Sequence, residues 1–336
     1  MNFQPELSST SATILALTAA FMWGTWFISL KYLGDYPLDG YFITLFTTSF
    51  VFVWTTSILI ERDALFRNIA ETFASDASRV IATVVCGIIY VTGMRFSILV
   101  MKTIGLSLAQ PIQSAIGTLM SLAITIVVGG VPAGVSIPRL VFATLILIAA
   151  VISSMIAGRI RSQAQSQQPN NGQYVPMSAL WRSLVLVLVA SLLTPAYPFA
   201  LSYGLKSTTQ PNGMAVLPFM TMLVTGAFLG SLFNSGYVLT RHRQWHCVWH
   251  AGFTIHRWGI FSGLFHYGGN IIHTYAAAFL SAAIAFPLGI TSGLWTQMWG
   301  LVYGEFKGSP PRAYVALFGG VLLYIIGGYI IATMSQ

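Results

Sequence analysis

The chain has 336 residues, of which 55% are hydrophobic and only 7% are charged. Soluble globular domains carry about 25% charged residues, so this composition excludes a soluble protein and predicts an all-α integral membrane protein. The net charge of +8 comes from few acidic residues as much as from many basic ones, and no nucleic-acid partner is predicted. The two cysteines indicate no disulfide framework. Neither a cofactor nor a metal site is predicted.

Ten apolar stretches have the roughly 20 residues that a membrane-spanning helix needs, and we number them segments 1 to 10. In chain order, they lie near residues 12–33, 41–60, 80–101, 104–128, 138–158, 179–203, 213–239, 258–281, 284–304 and 313–334.

A polar stretch at the middle of the chain divides these segments into two groups of five. Residues 159–178 are rich in Gln, Ser, Asn and Pro and poor in large apolar side chains, which is typical of a flexible linker. The sequence therefore predicts a first five-helix repeat over 1–158 and a second over 179–336.

The two halves share a weak internal symmetry. Shifting the sequence by 176 residues lays segments 3, 4 and 5 onto segments 8, 9 and 10. Because each half has an odd number of segments, the halves have opposite orientations, which predicts a 5+5 inverted repeat of the kind found in transporters. The matching residues are Gly87 with Gly263, Gly93 with Gly269, Ala109 with Ala285, Pro111 with Pro287, and Gly117 with Gly293.

The matching prolines predict helix breaks at one depth in both halves. Pro111 and Pro287 remove backbone hydrogen bonds, and the freed carbonyl groups could face a cavity between the halves instead of lipid. The alternative is a packing kink without a cavity.

The basic residues predict an orientation. Eleven of the sixteen Lys and Arg residues fall on the side of the linker, so the positive-inside rule places the linker in the cytoplasm and both termini outside. If Lys31 and Arg95 lie within the spans, nine basic residues remain on the side of the linker against five on the other side. The expected location is a plasma membrane or bacterial inner membrane, with the chain as a multi-pass protein.

Two motifs carry a resemblance to a known family. The stretch "MWGTWFISLKYLGDYP" (22–37) resembles the first span of the glucose/rhamnose-type branch of the drug/metabolite transporter superfamily, and "WGLVYGEFKGSP" (299–310) is similar to its Gly-Glu-x-Lys turn after span nine. Ureide permeases have a similar first span. The resemblance implies secondary transport of a small polar metabolite. The counterpart of Glu305 in the first half is Gly129, so the acid that many members carry there is missing.

Segments 1 and 3 contain candidate substrate-binding residues, because polar groups within membrane spans are functional candidates by default. Trp23 and Trp26 could stack on a sugar or a planar heterocycle, and Lys31 could donate hydrogen bonds. Tyr90 and Arg95 are the candidates in segment 3. Interfacial packing of the Trp residues and snorkelling of the cationic side chains are the alternatives.

Segment 4 contains an amide cluster beside its proline. Gln110 and Ser114 are four residues apart and share one helix face, with Gln113 adjacent, which suits a polyhydroxyl or amide ligand. The alternative is hydrogen bonding between helices. The remaining substrate-binding candidates are Tyr197, Asn270, Trp295 and Gln297.

Segment 8 carries the best protonatable cluster. His266, Asn270 and His273 follow an i, i+4, i+7 spacing and form one stripe. Histidine titrates near physiological pH, so His266 and His273 are predicted to couple transport to protons, with His266 favoured. Structural imidazoles in a helix contact are the alternative.

These observations predict a secondary transporter that moves a small polar metabolite, preferably a sugar, by alternating access with proton coupling. A ureide or nucleobase permease and an exporter of aromatic metabolites or drugs are the alternatives. An intramembrane enzyme is disfavoured because HExxH, GxSxG and paired intramembrane aspartates are absent from the sequence. The expected partners are a small-molecule substrate, the lipid bilayer, a proton or sodium ion as co-substrate, and a second copy in a homodimer.

Overall fold

A computed structural model describes residues 7–334 except 105 and 167–176, and it describes side chains in that part of the chain except at 100–115 and 165–184. The described residues form helices and connecting turns, with one isolated bridge between Leu205 and Met214. In chain order, the helices are α1 (Ser9–Thr25), a 3₁₀ helix (Trp26–Tyr32), α2 (Leu38–Glu61), α3 (Asp63–Ile104), α4 (Leu106–Val127), α5 (Ile137–Ser166), α6 (Met177–Leu193), α7 (Ala196–Gly204), α8 (Val216–Arg241), α9 (Trp245–Trp249), α10 (Phe253–Leu280), α11 (Ala282–Ile290), α12 (Ser292–Val302) and α13 (Pro311–Ala332).

Seven helical segments of the described chain are long and apolar enough to cross a membrane, which supports an all-α membrane protein. Three predicted segments fall outside this set. Segment 4 is represented by the apolar stretch Ile116–Gly129, because the side chains before it lie outside the described ones. The helix α10 carries several polar side chains, and α11 and α12 are separate short helices. The seven are Ser9–Tyr32, Leu38–Glu61, Asp63–Leu99, Ile137–Ala164, Val185–Gly204, Val216–Arg241 and Pro311–Ala332.

Three of the predicted segments are interrupted near their middle. Segment 1 changes from α-helix to 3₁₀ helix at Trp26, segment 6 breaks at Pro195, and segment 9 breaks at Thr291. A further break lies just before segment 9, at Ser281, where a φ of 74° separates α10 from α11. The interruptions free backbone groups that must find partners inside the protein, since lipid offers none.

Several local predictions about helix boundaries differ from the structure. The predicted break at Pro111 is absent, because α4 runs without interruption from Leu106 to Val127. The predicted break at Pro287 is absent too, because this proline lies inside α11 and segment 9 breaks at Thr291 instead. A membrane helix can accommodate a proline when neighbouring groups satisfy the freed carbonyl. The polar stretch 61–79 is largely helical, and α3 passes through it with a kink at Asp76. The predicted linker is also shorter than 159–178, since α5 extends to Ser166 and α6 begins at Met177.

The tightest helix contact joins α3 to α8 and requires glycine. A Cβ atom at Gly226 would overlap the carbonyl oxygen of Val84, and one at Gly87 would overlap the carbonyl oxygen of Leu223. Small residues allow this approach, which is how helices associate where no hydrophobic effect drives them together. Gly263 on α10 meets the carbonyl oxygen of Leu45 on α2 in a similar way.

We expect Gly226→Ala to destabilise the protein by about 1–3 kcal/mol, because the added methyl group forces α3 and α8 apart. Thermal unfolding in detergent measures the effect. The matched control is Gly158→Ala in α5, where an added Cβ would meet no atom within 4 Å and alanine favours the helix. Equal melting temperatures for the two variants would show that the α3–α8 contact relaxes without cost.

Candidate functional site

A cavity of about 350 Å³ lies where the interrupted segments meet. Its walls include Trp26 at the start of the 3₁₀ helix, Tyr197 beside the break at Pro195, and Gly293 beside the break at Thr291. The volume is at the lower end of the range for small-molecule sites. Among the described side chains, seven Trp, Tyr and Phe residues line the cavity: Trp23, Trp26, Phe27, Tyr90, Tyr197, Phe286 and Tyr324.

The polar part of the lining is uncharged. Among the described side chains, no Asp, Glu, Lys or Arg residue lines the cavity, and His266 is the only ionisable base there. Several hydroxyl groups complete the wall, including those of Ser121, Thr194 and Thr296. A cavity with this lining suits a small neutral ligand that has both an apolar face and polar groups.

Tyr90 and His266 form a hydrogen-bonded pair in the wall. The Tyr90 hydroxyl lies 3.2 Å from His266 Nε2, and the two ring planes are within 4° of each other. The Trp26 ring packs edge-on against His266 with ring centroids 5.2 Å apart. The Nδ1 atom of His266 is buried and has no partner among the described residues.

His273 lies behind the cavity in a fully buried network. Its Nε2 atom is 3.0 Å from the carbonyl oxygen of Ala285, and its Nδ1 atom is 3.1 Å from the Tyr197 hydroxyl. A carbonyl oxygen only accepts, so Nε2 carries the proton, and in the neutral ring Nδ1 accepts from Tyr197. His273 therefore connects the interrupted segment 9 to a residue of the cavity wall.

Trp23 joins this network to the cavity. Its indole Nε1 donates to Asn270 Oδ1 at 2.8 Å, and its ring packs against His273 with centroids 4.6 Å apart. Asn270 is 1% exposed and does not itself line the cavity. It holds the indole in place, and its Nδ2 atom has no partner in the described part of the chain.

The structure places Lys31 and Arg95 outside the cavity, in ion pairs. Lys31 and Arg161 both bind the carboxylate of Glu305. Arg95 binds Asp39 through Nε at 2.7 Å and through a terminal nitrogen at 3.3 Å. Each pair joins residues that are far apart in sequence, so the charges connect segment ends rather than face a ligand.

Two further predicted residues also lie away from the cavity. Trp295 packs edge-on against Phe21 with centroids 5.0 Å apart, and Gln297 Nε2 donates to Ser154. Gln110, Gln113 and Ser114 lie outside the described side chains.

The carboxylate of Glu305 is shared by two ion pairs, which we expect to persist at moderately low pH. Partial burial raises the pKa of this carboxyl, but hydrogen bonds and positive charge from Lys31 and Arg161 outweigh that effect, so the pKa lies below its ordinary value. The contribution to stability is therefore present above the ordinary pKa of glutamate and is lost as the pH falls through the lowered value.

We expect Glu305→Gln to lower the free energy of unfolding at pH 7 by up to about 1 kcal/mol, since the groups are partly exposed. The difference from the parent protein should shrink as the pH falls through the lowered pKa of Glu305. Thermal unfolding between neutral and acidic pH measures this. Glu71→Gln in the exposed part of α3 is the control, and an equal loss there would contradict the role of the Glu305 pairs.

The sequence did not indicate several residues of the wall. Phe27, Phe286 and Tyr324 line the cavity, but in the sequence they are apolar or aromatic residues among many in membrane spans. Tyr324 could have been noticed as a polar aromatic in the middle of segment 10. The other two offer no signal without the fold.

No protein-family model matches the chain, and no curated protein matches it in sequence. The fold and the site by themselves define the class: an all-α membrane protein whose interrupted helices line a cavity with an uncharged lining over the described residues. Over the same residues, no three His, Cys, Asp or Glu side chains are grouped to hold a metal ion.

Proposed function

We propose that the protein is a secondary transporter that moves a small neutral metabolite, preferably a sugar, by alternating access. The observation that carries this proposal is an aromatic cavity, uncharged over the described residues, that is lined by interrupted helices from both halves of the chain. Secondary transporters bind substrate at such a place, near the middle of the bilayer and between repeats. The two halves would rock around the bound ligand and expose it to one side at a time.

The packing of the helices supports ten spans in a 5+5 inverted repeat. In such a repeat, each segment has a counterpart five segments further on, so α3 corresponds to α10, α2 to α8, and α1 to α6. The contact of α3 with α8 then corresponds to the contact of α10 with α2, and both are present. The contact of α1 with α10 corresponds in the same way to the contact of α6 with α3. The counterparts α5 and α13 pack on each other. A two-fold axis in the membrane plane requires this correspondence.

The Tyr90–His266 pair gives independent support for the axis. The two residues are 176 positions apart, which is the shift that aligns the halves in sequence. A residue and its symmetry counterpart can contact each other only on the axis that relates them. The pair therefore fits a position on the axis, where a group can be reached from either side as the halves rock.

This position favours His266 as the proton carrier. It is the one imidazole among the described lining residues, and histidine is the side chain suited to proton exchange near neutral pH. His273, by contrast, has both ring nitrogens occupied by protein partners.

The substrate assignment follows from the lining. Aromatic faces pack on the apolar faces of sugars, hydroxyl groups bind their polar edges, and the uncharged described lining does not favour ionic substrates. The sugar-transporting branch of the drug/metabolite transporter superfamily is the proposed relationship, supported by the motifs at 22–37 and 299–310. A ureide or nucleobase permease is the second candidate, because the same rings could stack on a planar heterocycle.

Uptake into proteoliposomes tests the proposal. The panel contains labelled hexoses and 6-deoxyhexoses together with allantoin, uracil and an aromatic amino acid, each measured with and without an inward proton gradient. We expect saturable hexose uptake that rises with the gradient. Uptake confined to the heterocycles would overturn the sugar assignment, and no gradient effect would overturn proton coupling.

A further inference from the structure

Three hydroxyl groups in the cavity wall donate their own hydrogen atoms to partners within the protein. Ser121 Oγ donates to the carbonyl oxygen of Gly117 at 2.6 Å, and Thr296 Oγ1 lies 3.2 Å from the carbonyl oxygen of Ser292. Tyr197 donates to His273 Nδ1, as the bond between His273 and Ala285 requires in the neutral ring. A hydroxyl that has donated its hydrogen retains lone pairs that can accept.

We propose that this cavity recognises its ligand through hydrogen bonds that the ligand donates, with the hydroxyl oxygens of Ser121, Thr296 and Tyr197 as acceptors. This inference rests on the proposed function and specifies the ligand: a neutral molecule with several hydroxyl donors around an apolar face. His266 Nδ1 has no partner among the described residues and either donates or accepts according to the tautomer.

The supply of hydrogen-bond donors and acceptors in the wall separates the two candidate substrate classes, which are sugars and planar heterocycles. A sugar hydroxyl can turn its hydrogen toward an acceptor in the wall. A ureide or nucleobase also brings carbonyl oxygens, which need donors that these three hydroxyls do not supply. A buried carbonyl group left without a donor loses the free energy of its hydrogen bonds with water, so these three hydroxyls favour the polyol.

Fluorinated sugars test the inference, because a carbon-bound fluorine cannot donate a hydrogen bond and resembles a hydroxyl in size. The assay measures competition by unlabelled deoxy and deoxyfluoro analogues against the labelled hexose that the uptake panel transports best. At each hydroxyl position that the wall recognises, we expect both analogues to compete about 3- to 10-fold less well than the parent sugar. Deoxyfluoro analogues that compete as well as the parent at every position would overturn the inference and leave sugar transport intact.

Two serine variants test the same inference by changing the protein instead of the sugar. Ser121→Ala should raise the half-saturating hexose concentration about 3- to 10-fold, with no further loss when the deoxyfluoro analogue of the contacted position is used. Ser191→Ala is the matched control, because Ser191 makes the same bond to its own helix at 2.7 Å, is fully buried, and does not line the cavity. Equal effects of the two variants would contradict a role for Ser121 as a ligand acceptor. If no hexose is transported, the sugar assignment and this inference fail together.

Discussion

Replacement of His266 by alanine is expected to abolish accumulation of substrate against its gradient while exchange of substrate across the membrane continues. The imidazole lines the cavity and pairs with Tyr90, 176 residues away, so its loss removes the proposed proton carrier but leaves most of the wall. With one proton per substrate, one pH unit is worth about 1.4 kcal/mol, or about tenfold accumulation. The variant should lose all of this and merely equilibrate substrate.

The measurement compares gradient-driven uptake with counterflow in the same proteoliposomes. His266→Gln is a second variant that can still hydrogen bond to Tyr90 but cannot titrate, and it should behave like the alanine variant. His256→Gln is the matched control on the same helix; its ring nitrogens contact Thr44 Oγ1 and the carbonyl oxygen of Val248, away from the cavity. If the His266 variants still concentrate substrate in response to the proton gradient, the proton is carried elsewhere.

Replacement of Trp23 by alanine is expected to destabilise the protein by about 3–5 kcal/mol and to eliminate saturable uptake. The indole contacts both the cavity and His273, donates to Asn270, and packs closely against Gly269 and Gly289. Its removal leaves Asn270 Oδ1 without a donor and opens a void beside the ligand. Thermal unfolding and uptake measure the two effects separately.

Trp23→Phe separates the ring from its hydrogen bond. Phenylalanine keeps an aromatic face in the wall but cannot donate to Asn270, so the expected destabilisation is about 1–3 kcal/mol, with uptake reduced rather than lost. Trp245→Ala is the control, because Trp245 stacks on Trp249 in the loop after α8 and does not line the cavity. Normal uptake by a well-folded Trp23→Ala protein would remove this residue from the site.

Part of the site could be predicted from the sequence because polar groups are rare in membrane spans. His266, Tyr90 and Tyr197 were chosen on that ground, and the structure brings all three to one cavity with Trp23 and Trp26. Lys31 and Arg95 were chosen for the same reason, but the structure places them with Glu305 and Asp39. A charge alone does not reveal whether it meets a ligand or an opposite charge, since the acidic partners are 274 and 56 residues away.

Helix interruptions were predicted less well than helices. Pro111 and Pro287 were predicted to break their helices, but both lie within a helix. Pro195 does lie at a break, whereas the change to 3₁₀ helix at Trp26 has no proline at all. Proline only removes one backbone donor and crowds the preceding turn. Whether the helix then breaks depends on which neighbouring groups can satisfy the backbone.

The sequence by itself determined that the chain is an α-helical membrane protein, because hydropathy acts over whole stretches of about 20 residues and does not depend on which helices become neighbours. It also indicated the internal shift of 176 residues and the stripe of His266, Asn270 and His273. Only the tertiary structure decided which of these groups share the cavity and which are held by protein partners. Those outcomes depend on the approach of helices distant in the chain, such as α3 and α8 at Gly87 and Gly226, and no local pattern encodes that approach.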